Sequence, residues 1–571
     1  MNRIKVIGLT ATATATVLVG AVIQAQTASA DVSGGLPGIS TSTLSSDPFI
    51  MTCVDQGVQG LCMYTSQDLG IAGNSTNPYP MANTKGYFST NGGRTWTARG
   101  TVVTEGQLET DIGGFVQPSS NHLWAPAALQ DINNNTFLFV PDVANPNPPD
   151  PANPWGPNSH TSSRTAVMLP LVGAGAFGPF VSGGTLGDTS NRNPGLLSYM
   201  SDPEPFRDST GSYLLWADGD GMTCGGISMG NLSPGIEYVS NPQQVQIFGW
   251  PSWGTCDLQS PFTERLPDHP QHVNRPYMEG PSIFKFSEEA SDLRGLPGPY
   301  TLVVAAQPTS TPAECQHFGQ PNKPNEVIVY ATSDTVDGSP GPDGIAGYRY
   351  EGILMCGSAT EFTNQATIAE VTTGSGAKRM ALFYHDGPQG THKRRLHAEC
   401  LWYGAGRFAM ATRSANGFVD CMNGAGTNVW ALRGHYDFEG IVSADQDRGA
   451  RLYANRGAVG PWEQFDVLDA NGAPVTAPGP NAGYTVTSVV LRSRVNNKFV
   501  TAGTAGTDAL IANASSSTAA GTGFDLSVIG DSKCGCVVLK SRTSNLFVQQ
   551  MGDNSLKPLD PFGRTFEVLH L

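Results

Sequence analysis

An all-β fold is predicted by three observations. Gly (68) and Pro (41) are plentiful in the 571-residue chain, charged residues make up only 14%, and helix-forming stretches are rare. Such a composition describes many short strands joined by turns. Short aromatic-rich segments recur at roughly 75-residue spacing: Leu61–Tyr64, Thr136–Val140, Ser212–Trp216, Tyr300–Val304 and Met380–Tyr384. The end of the chain then repeats a shorter unit three times. A chain of more than 500 residues exceeds what one core supports, so at least two domains are expected.

Residues 1–30 read as a signal peptide. Arg3 and Lys5 give a positive start, an apolar stretch runs from Val6 to about Ile23, and Ala28-Ser29-Ala30 is a small-x-small cleavage pattern. A secreted, extracellular protein is therefore expected. No later stretch approaches the twenty apolar residues of a membrane span. The whole chain carries −15. Without residues 1–30 it keeps 31 Lys and Arg against 48 Asp and Glu, a net of −17. That charge disfavours nucleic acid and anionic membrane as partners and tolerates a neutral polysaccharide. A monomer is expected.

All ten cysteines follow residue 30, and an even count in an exported chain favours disulfides. Sequence neighbours give the pairs Cys53–Cys62, Cys224–Cys256, Cys315–Cys356 and Cys400–Cys421. For Cys534 and Cys536, a strained bridge and two free thiols stay open. No Cys-x-x-Cys pair points to a metal.

The five recurring segments suggest five four-stranded sheets, hence a five-bladed β-propeller over residues 31–424. A propeller gathers loops from every blade at its axis, so distant carboxylates can meet in one pocket.

In residues 425–571, Trp430–Arg433, Val490–Ser493 and Val538–Ser541 open three repeats. Ile441-Val442, Phe499-Val500 and Phe547-Val548 follow, and Phe465, Phe524 and Phe566 begin the closing segments, 59 and 42 positions apart. Units of roughly 45 residues cannot each bury a core alone, so three must converge on one. The pattern resembles the β-trefoil. Its Leu491-Arg492-Ser493, Lys498-Phe499-Val500 and Leu452–Arg456 wording is similar to the fascin-type version. The resemblance implies a sugar-binding domain, with a purely structural cap as the alternative. Trp462, Tyr453 and Tyr436 could stack on sugar or belong to the core, and no binding site is assigned to them.

About one motif falls in each blade. Asp47-Pro48-Phe49 comes first, then Trp124-Ala125-Pro126, then Asp202-Pro203-Glu204-Pro205-Phe206-Arg207-Asp208 with Gly211. Glu279-Gly280-Pro281 and Asn364-Gln365-Ala366-Thr367-Ile368 follow, with Phe383-Tyr384-His385 and Arg394-Arg395 after them. Singly, Asp-Pro is most often a turn. In this order, over 47–421, the motifs resemble glycoside hydrolase family 43. Hydrolysis through an oxocarbenium-like state needs an acid on the leaving oxygen and a base on water, roughly 6.5–9.5 Å apart in an inverting enzyme.

The resemblance implies Asp47 as general base, Glu279 as general acid and Asp202 as the third carboxylate, which raises the acid's pKa and orients it. It also implies Trp124 as a wall of the sugar site and Arg395 as an arginine reaching into the pocket. Each has a plainer alternative, as a packing residue and a solvated strand residue. Glu204 and Asp208 read as turn or salt-bridge residues, and His385 as a strand-end structural residue. Gln365, placed with the substrate-binding residues, stands where many members carry a His that helps bind an axial metal ion. Gln is a poorer ligand, so no cofactor is expected and an axial calcium is doubtful.

The function expected is an inverting hydrolase of arabinose- or xylose-containing plant polysaccharide, of the α-L-arabinofuranosidase or β-xylosidase type. The alternative is a lectin-like propeller that binds polysaccharide without cleaving it, and a third reading is a surface adhesion protein. The segments Pro141–Asn158 and Leu266–Arg275 are the loops expected to narrow the cleft.

Overall fold

A computed structural model describes residues 36–569 except 41, 72–79, 112–122, 145–161, 187–199, 219–225, 235, 237–238, 246, 249–276, 287–297, 309–311, 313, 316–325, 341–346, 358–363, 377, 388–392, 405–406, 412–417, 420–421, 423–428, 435–439, 458, 476–484, 504–507, 531–534 and 561–564. The signal segment, Cys224, Cys256, Cys421, Cys534, Tyr436, the 145–158 part of the first expected cleft loop and all of Leu266–Arg275 lie outside the described residues.

Five sheets come first. The first holds β1 (Ser46–Asp55), β2 (Val58–Asp68), β3 (Met81–Ser89) and β4 (Thr97–Thr104), followed by the one-turn-and-more helix α1 (Glu105–Asp111). The second holds β5 (Ala127–Gln130), β6 (Thr136–Ala144), β7 (Ser162–Gly175) and β8 (Gly178–Leu186). The third holds β9 (Met200–Asp208), β10 (Gly211–Asp218), β11 (Ile227–Leu232) and β12 (Val239–Gln244). In the fourth, β14 (Tyr277–Lys285), β15 (Tyr300–Gln307), β16 (Val327–Ser333) and β17 (Tyr348–Cys356) form an antiparallel meander, and the two-residue β13 (Ile247–Phe248) joins β17 in parallel. The fifth has three strands, β18 (Asn364–Thr372), β19 (Lys378–Asp386) and β20 (Arg395–Cys400).

The first strands β1, β5, β9, β14 and β18 touch one another in a closed ring around an axis, so this is a five-bladed propeller. The segments singled out by their aromatic content are the second strands β2, β6, β10, β15 and β19. A second strand is packed on both faces by neighbouring blades, which is why it reads as a continuous apolar run. Each gap between blades is filled by its own cluster. Leu129 and Phe139 meet Leu214 and Trp216 between the second and third blades, for example. Phe383 and Ala398 meet Met63 and Tyr87 between the fifth blade and the first.

After the ribbon of β21 (Tyr403–Gly404) and β22 (Arg407–Phe408) comes a closed β-barrel-like sheet. Its strands are β23 (Val429–Gly434), β24 (Ile441–Asp445), β25 (Arg451–Arg456), β26 (Phe465–Asp469), β27 (Thr485–Ser493), β28 (Lys498–Thr501), β29 (Ile511–Ala514), β30 (Phe524–Gly530), β31 (Gly535–Ser541), β32 (Phe547–Gln550), β33 (Leu556–Asp560) and β34 (Phe566–Leu569). Strands β23, β26, β27, β30, β31 and β34 pair in that order, and β34 returns to β23. The pairs β24–β25, β28–β29 and β32–β33 form three hairpins. The repeated residues converge on one core: Val442, Val500 and Val548 are 0% exposed, and Phe465, Phe524 and Phe566 no more than 1%. Tyr453 lies buried under the Arg448 guanidinium, and half-buried Trp462 lies under that of Arg456.

The barrel packs on the end of the propeller chain. Trp402 and Ala409 join Val429, Ala431, Ile441 and Leu569 in one cluster. Beside it the buried carboxylate of Glu567 accepts from Arg433 and lies 3.7 Å from Arg407. Cys53–Cys62 and Cys315–Cys356 are bridged as expected. Cys400 and Cys536 are also disulfide-bonded, which removes the free-thiol alternative for Cys536.

Candidate active site

The Asp47, Asp202, Glu279 and Gln365 motifs lie inside the innermost strands, at breaks in pairing register, while Trp124-Ala125-Pro126 directly precedes β5. Asp47 has φ 54° and sits where the β1–β2 register breaks between Ser46 and Phe49. Asp202 has φ 47°, at the break between Ser201 and Glu204 on β9. Gly280 has φ 57°, at the break between Glu279 and Ser282 on β14, and Gln365 has φ 38°, between Asn364 and Thr367 on β18. These are β-bulges, which re-aim side chains. Pro48, Pro203 and Pro281 occupy the break, where a missing N–H costs no ladder hydrogen bond. A left-handed non-glycine residue costs about 1–3 kcal/mol, and Asp47, Asp202 and Gln365 each carry that cost at the same end of the axis. Gly280 is glycine for a second reason: a Cβ there would stand 3.0 Å from Gln365 Cγ and 3.2 Å from its Cα.

The three carboxylates named from sequence come together. Glu279 and Asp47 are the charges that act most strongly on Asp202, and the N–H of Gly280 donates to Asp202 Oδ2 at 3.1 Å. Asn364 Nδ2 donates to Glu279 Oε1.

Their protonation differs. Asp47 is 3% exposed, and burial alone would raise its pKa. The charge of Arg394, whose Nη1 lies 3.3 Å from Oδ1, leads the effects that together outweigh burial and hold the carboxyl well below the usual range. Asp202, 7% exposed, moves the other way: burial, then the charges of Glu279 and Asp47, push it well above the usual range. Asp202 therefore resists ionisation where Asp47 favours it.

Arg394, Asp68 and Ser46, given no role in the sequence, build the surroundings of Asp47 together with His385. Arg394 makes a fork on Asp68, Nε to Oδ2 at 3.0 Å and Nη2 to Oδ1 at 2.8 Å, and this fixes where its remaining nitrogen points. Ser46 Oγ bridges Asp47 Oδ2 (3.1 Å) and Asp68 Oδ1 (3.0 Å). The backbone N–H of Asp47 donates to His385 Nδ1 at 2.9 Å. Nδ1 also lies 3.1 Å from Asp47 Oδ1. One nitrogen cannot both accept the amide proton and donate to the carboxylate. Burial, then the Arg394 charge, push the His385 pKa down, so we assign the neutral ring with its proton on Nε2.

Arg394, not Arg395, supplies the guanidinium on Asp47. Arg395 begins β20 opposite Asp386, half-buried, because adjacent strand residues point to opposite faces. Trp124 is half-buried just before β5, its backbone N–H donating to the Pro141 carbonyl at 3.1 Å. Asp208 is a salt-bridge residue, 2.7 Å from Lys285 Nζ. Glu204 is neither turn nor salt bridge. It is 6% exposed on β9, accepts from the Ile283 N–H at 3.1 Å, and burial pushes its pKa up to about 8. It lines a cavity of about 340 Å³ on the axis, with Phe49, Met51, Leu129, Ile283 and Thr367. Among the described residues no group of three His, Cys, Asp or Glu side chains could hold a metal ion. Gln365, a poorer ligand than His, stands on the β18 bulge.

No family model and no curated protein matches the chain. Similar solved structures include the GH43_1 enzyme from Xanthomonas citri complexed with xylose (18% identity, 67% of this chain and 96% of that one, TM-score 0.40). An endo-arabinase from Bacteroides thetaiotaomicron (13%, 64% and 96%, 0.38) and an exo-beta-1,3-galactanase from Clostridium thermocellum (12%, 94% and 99%, 0.40) are others.

Proposed function

We propose that the chain is an inverting glycoside hydrolase acting on arabinose- or xylose-containing plant polysaccharide. The observation that carries this is the convergence of Asp47, Asp202 and Glu279 at one end of the propeller axis, with the Asp47 pKa pulled down and the Asp202 pKa pushed up. In this reading Glu279 protonates the leaving oxygen, and its new charge is met by the Asn364 amide. Asp47 orients water on the opposite face of the sugar ring and takes its proton. The low pKa of Asp47 keeps it ionised across the working range at some cost in basicity. Asp202, fixed by the Gly280 N–H, orients the acid. The ordered Asp-Pro, Trp-Ala-Pro, Asp-Pro and Glu-Gly-Pro motifs support the sugar class. Trp124 forms a wall of the pocket, with Gln365 and Arg395 toward the substrate.

The C-terminal barrel, on this reading, is a β-trefoil that holds the enzyme on its polymer. Its three hairpins and six-stranded ring support that reading. The composition of residues 1–30 and the disulfides support secretion. Anomeric configuration of the first-formed sugar, followed by proton NMR during turnover, tests the mechanism. Inversion is expected, and retention rejects Asp47 as the base.

A further inference from the structure

Glu326 has no part in the mechanism above. It stands immediately before β16, fully buried at 0% exposure, two strands across the fourth blade from Glu279. Gln307 Nε2 donates to its Oε1 at 3.0 Å, and its backbone carbonyl accepts from the Gly357 N–H at 3.0 Å. Oε2 is buried with no donor facing it among the described residues. The Glu279 carboxyl lies within hydrogen-bonding reach of the Glu326 carboxyl. Two carboxylates are both acceptors, so they can bond only when one carries a proton.

We propose that Glu326 is the proton-sharing partner of Glu279: the two carboxyls form one hydrogen-bonded pair that holds a single proton through neutral pH, and Glu326 thereby sets the pH at which the site loses its acid. This rests on Glu279 as the general acid. The pair loses its proton only by creating two adjacent buried negative charges, which is unfavourable, so the proton is kept to higher pH than a lone glutamic acid keeps it. Burial, then the charge of Glu279, push Glu326 well above the ordinary range. The other titratable groups near the pair are Asp202, whose own pKa is also pushed up, and Arg394, whose cation works weakly in the opposite direction. Gln307 on β15 is neutral and holds Glu326 in register. Glu326 touches no substrate atom in this account; it is a positioning residue.

Glu326→Gln tests it. The amide keeps an oxygen for Gln307 and a donor for Glu279 but cannot share a proton. The alkaline limb of kcat/KM is expected to fall by about one pH unit or more. A loss of rate equal at every pH, with the limb unmoved, overturns the proposal. A second readout needs no substrate: thermal stability of the full chain from pH 4.5 to 9. A raised folded pKa contributes stability below the unfolded value, and that contribution is lost as pH rises towards the folded one. The variant is therefore expected to gain on the parent with rising pH, and to gain less when Glu279 is already Gln. A pH-dependent gain of equal size in both backgrounds makes Glu326 a solitary buried acid and overturns the pair. The expected stability pattern in a protein that hydrolyses no glycoside supports the pair and removes the glycosidase reading instead.

Discussion

The backbone N–H of Asp47 donates to Nδ1 of His385 at 2.9 Å, and so joins the first blade of the propeller to the last. A propeller has no covalent closure of its own, and here the closure passes through the site. Ser45 N–H on the Arg394 carbonyl (3.1 Å) and Arg394 N–H on Asp68 Oδ2 (3.0 Å) stand beside it. The bonds that close the ring also hold the proposed base, so damage to the seam should reach catalysis and stability together.

Arg394→Met makes that visible. Removing the guanidinium leaves Asp47 and Asp68 buried without their cation. Breaking a buried pair from one side typically costs about 3–5 kcal/mol. Chemical denaturation should show a loss of that size. The depressed pKa of Asp47 contributes stability above its unfolded value, near pH 4, and that stability is lost as pH falls towards the folded one. The variant should therefore lose part of the parent's stability change between pH 5 and 2. A stability difference that does not vary with pH rejects Arg394 as the group that keeps Asp47 ionised.

Glu204→Gln should act with the opposite sign. A folded pKa of about 8 means that the parent loses stability as pH rises from the unfolded glutamate value to about 8. The slope is at most about 1.4 kcal/mol per pH unit. Melting temperatures of parent and variant should converge near pH 4.5 and separate towards pH 8, with the variant higher. Equal melting temperatures at both pH values would mean that Glu204 titrates normally.

Glu567→Ala tests the contact between barrel and propeller. Arg433 is 5% exposed and donates to Glu567, with Arg407 3.7 Å away. Taking away the shared carboxylate should destabilise the protein by about 3–5 kcal/mol. An unfolding midpoint within experimental error of the parent contradicts the buried ion pair.

Much of this was legible from residues because repetition forces it. Strands β2, β6, β10, β15 and β19 announce five blades, since a strand buried on both faces must be apolar along its length. Val442, Val500 and Val548 announce three units on one core. The Asp-Pro and Gly-Pro motifs locate the site but not its form: proline alone does not separate a turn from a bulge, and φ does. Arg394 and Arg395 are indistinguishable in sequence, and only the strand face decides between them. Asp68 and Glu326 carry no local motif, and the motif of His385 reads only as a strand end. Each acts on the site through partners such as Asp47, Arg394 and Glu279 that lie far away along the chain. Glu204 reads as a turn residue because Pro flanks it on both sides, and burial of that side chain is visible only in the folded blade.

Hydrolysis by parent and Glu279→Gln on arabinan, arabinoxylan, xylan and galactan, with aryl arabinofuranoside and xyloside alongside, tests the central claim most directly. Loss of a general acid should lower release of reducing sugar from the polymers by about 10²–10⁴-fold. Aryl substrates, whose leaving groups need less protonation, should lose less, and the variant should stay folded. Full activity in Glu279→Gln on every substrate the parent cleaves would contradict the account, and a folded parent that binds one of these polymers but releases no sugar would make the propeller a binding protein.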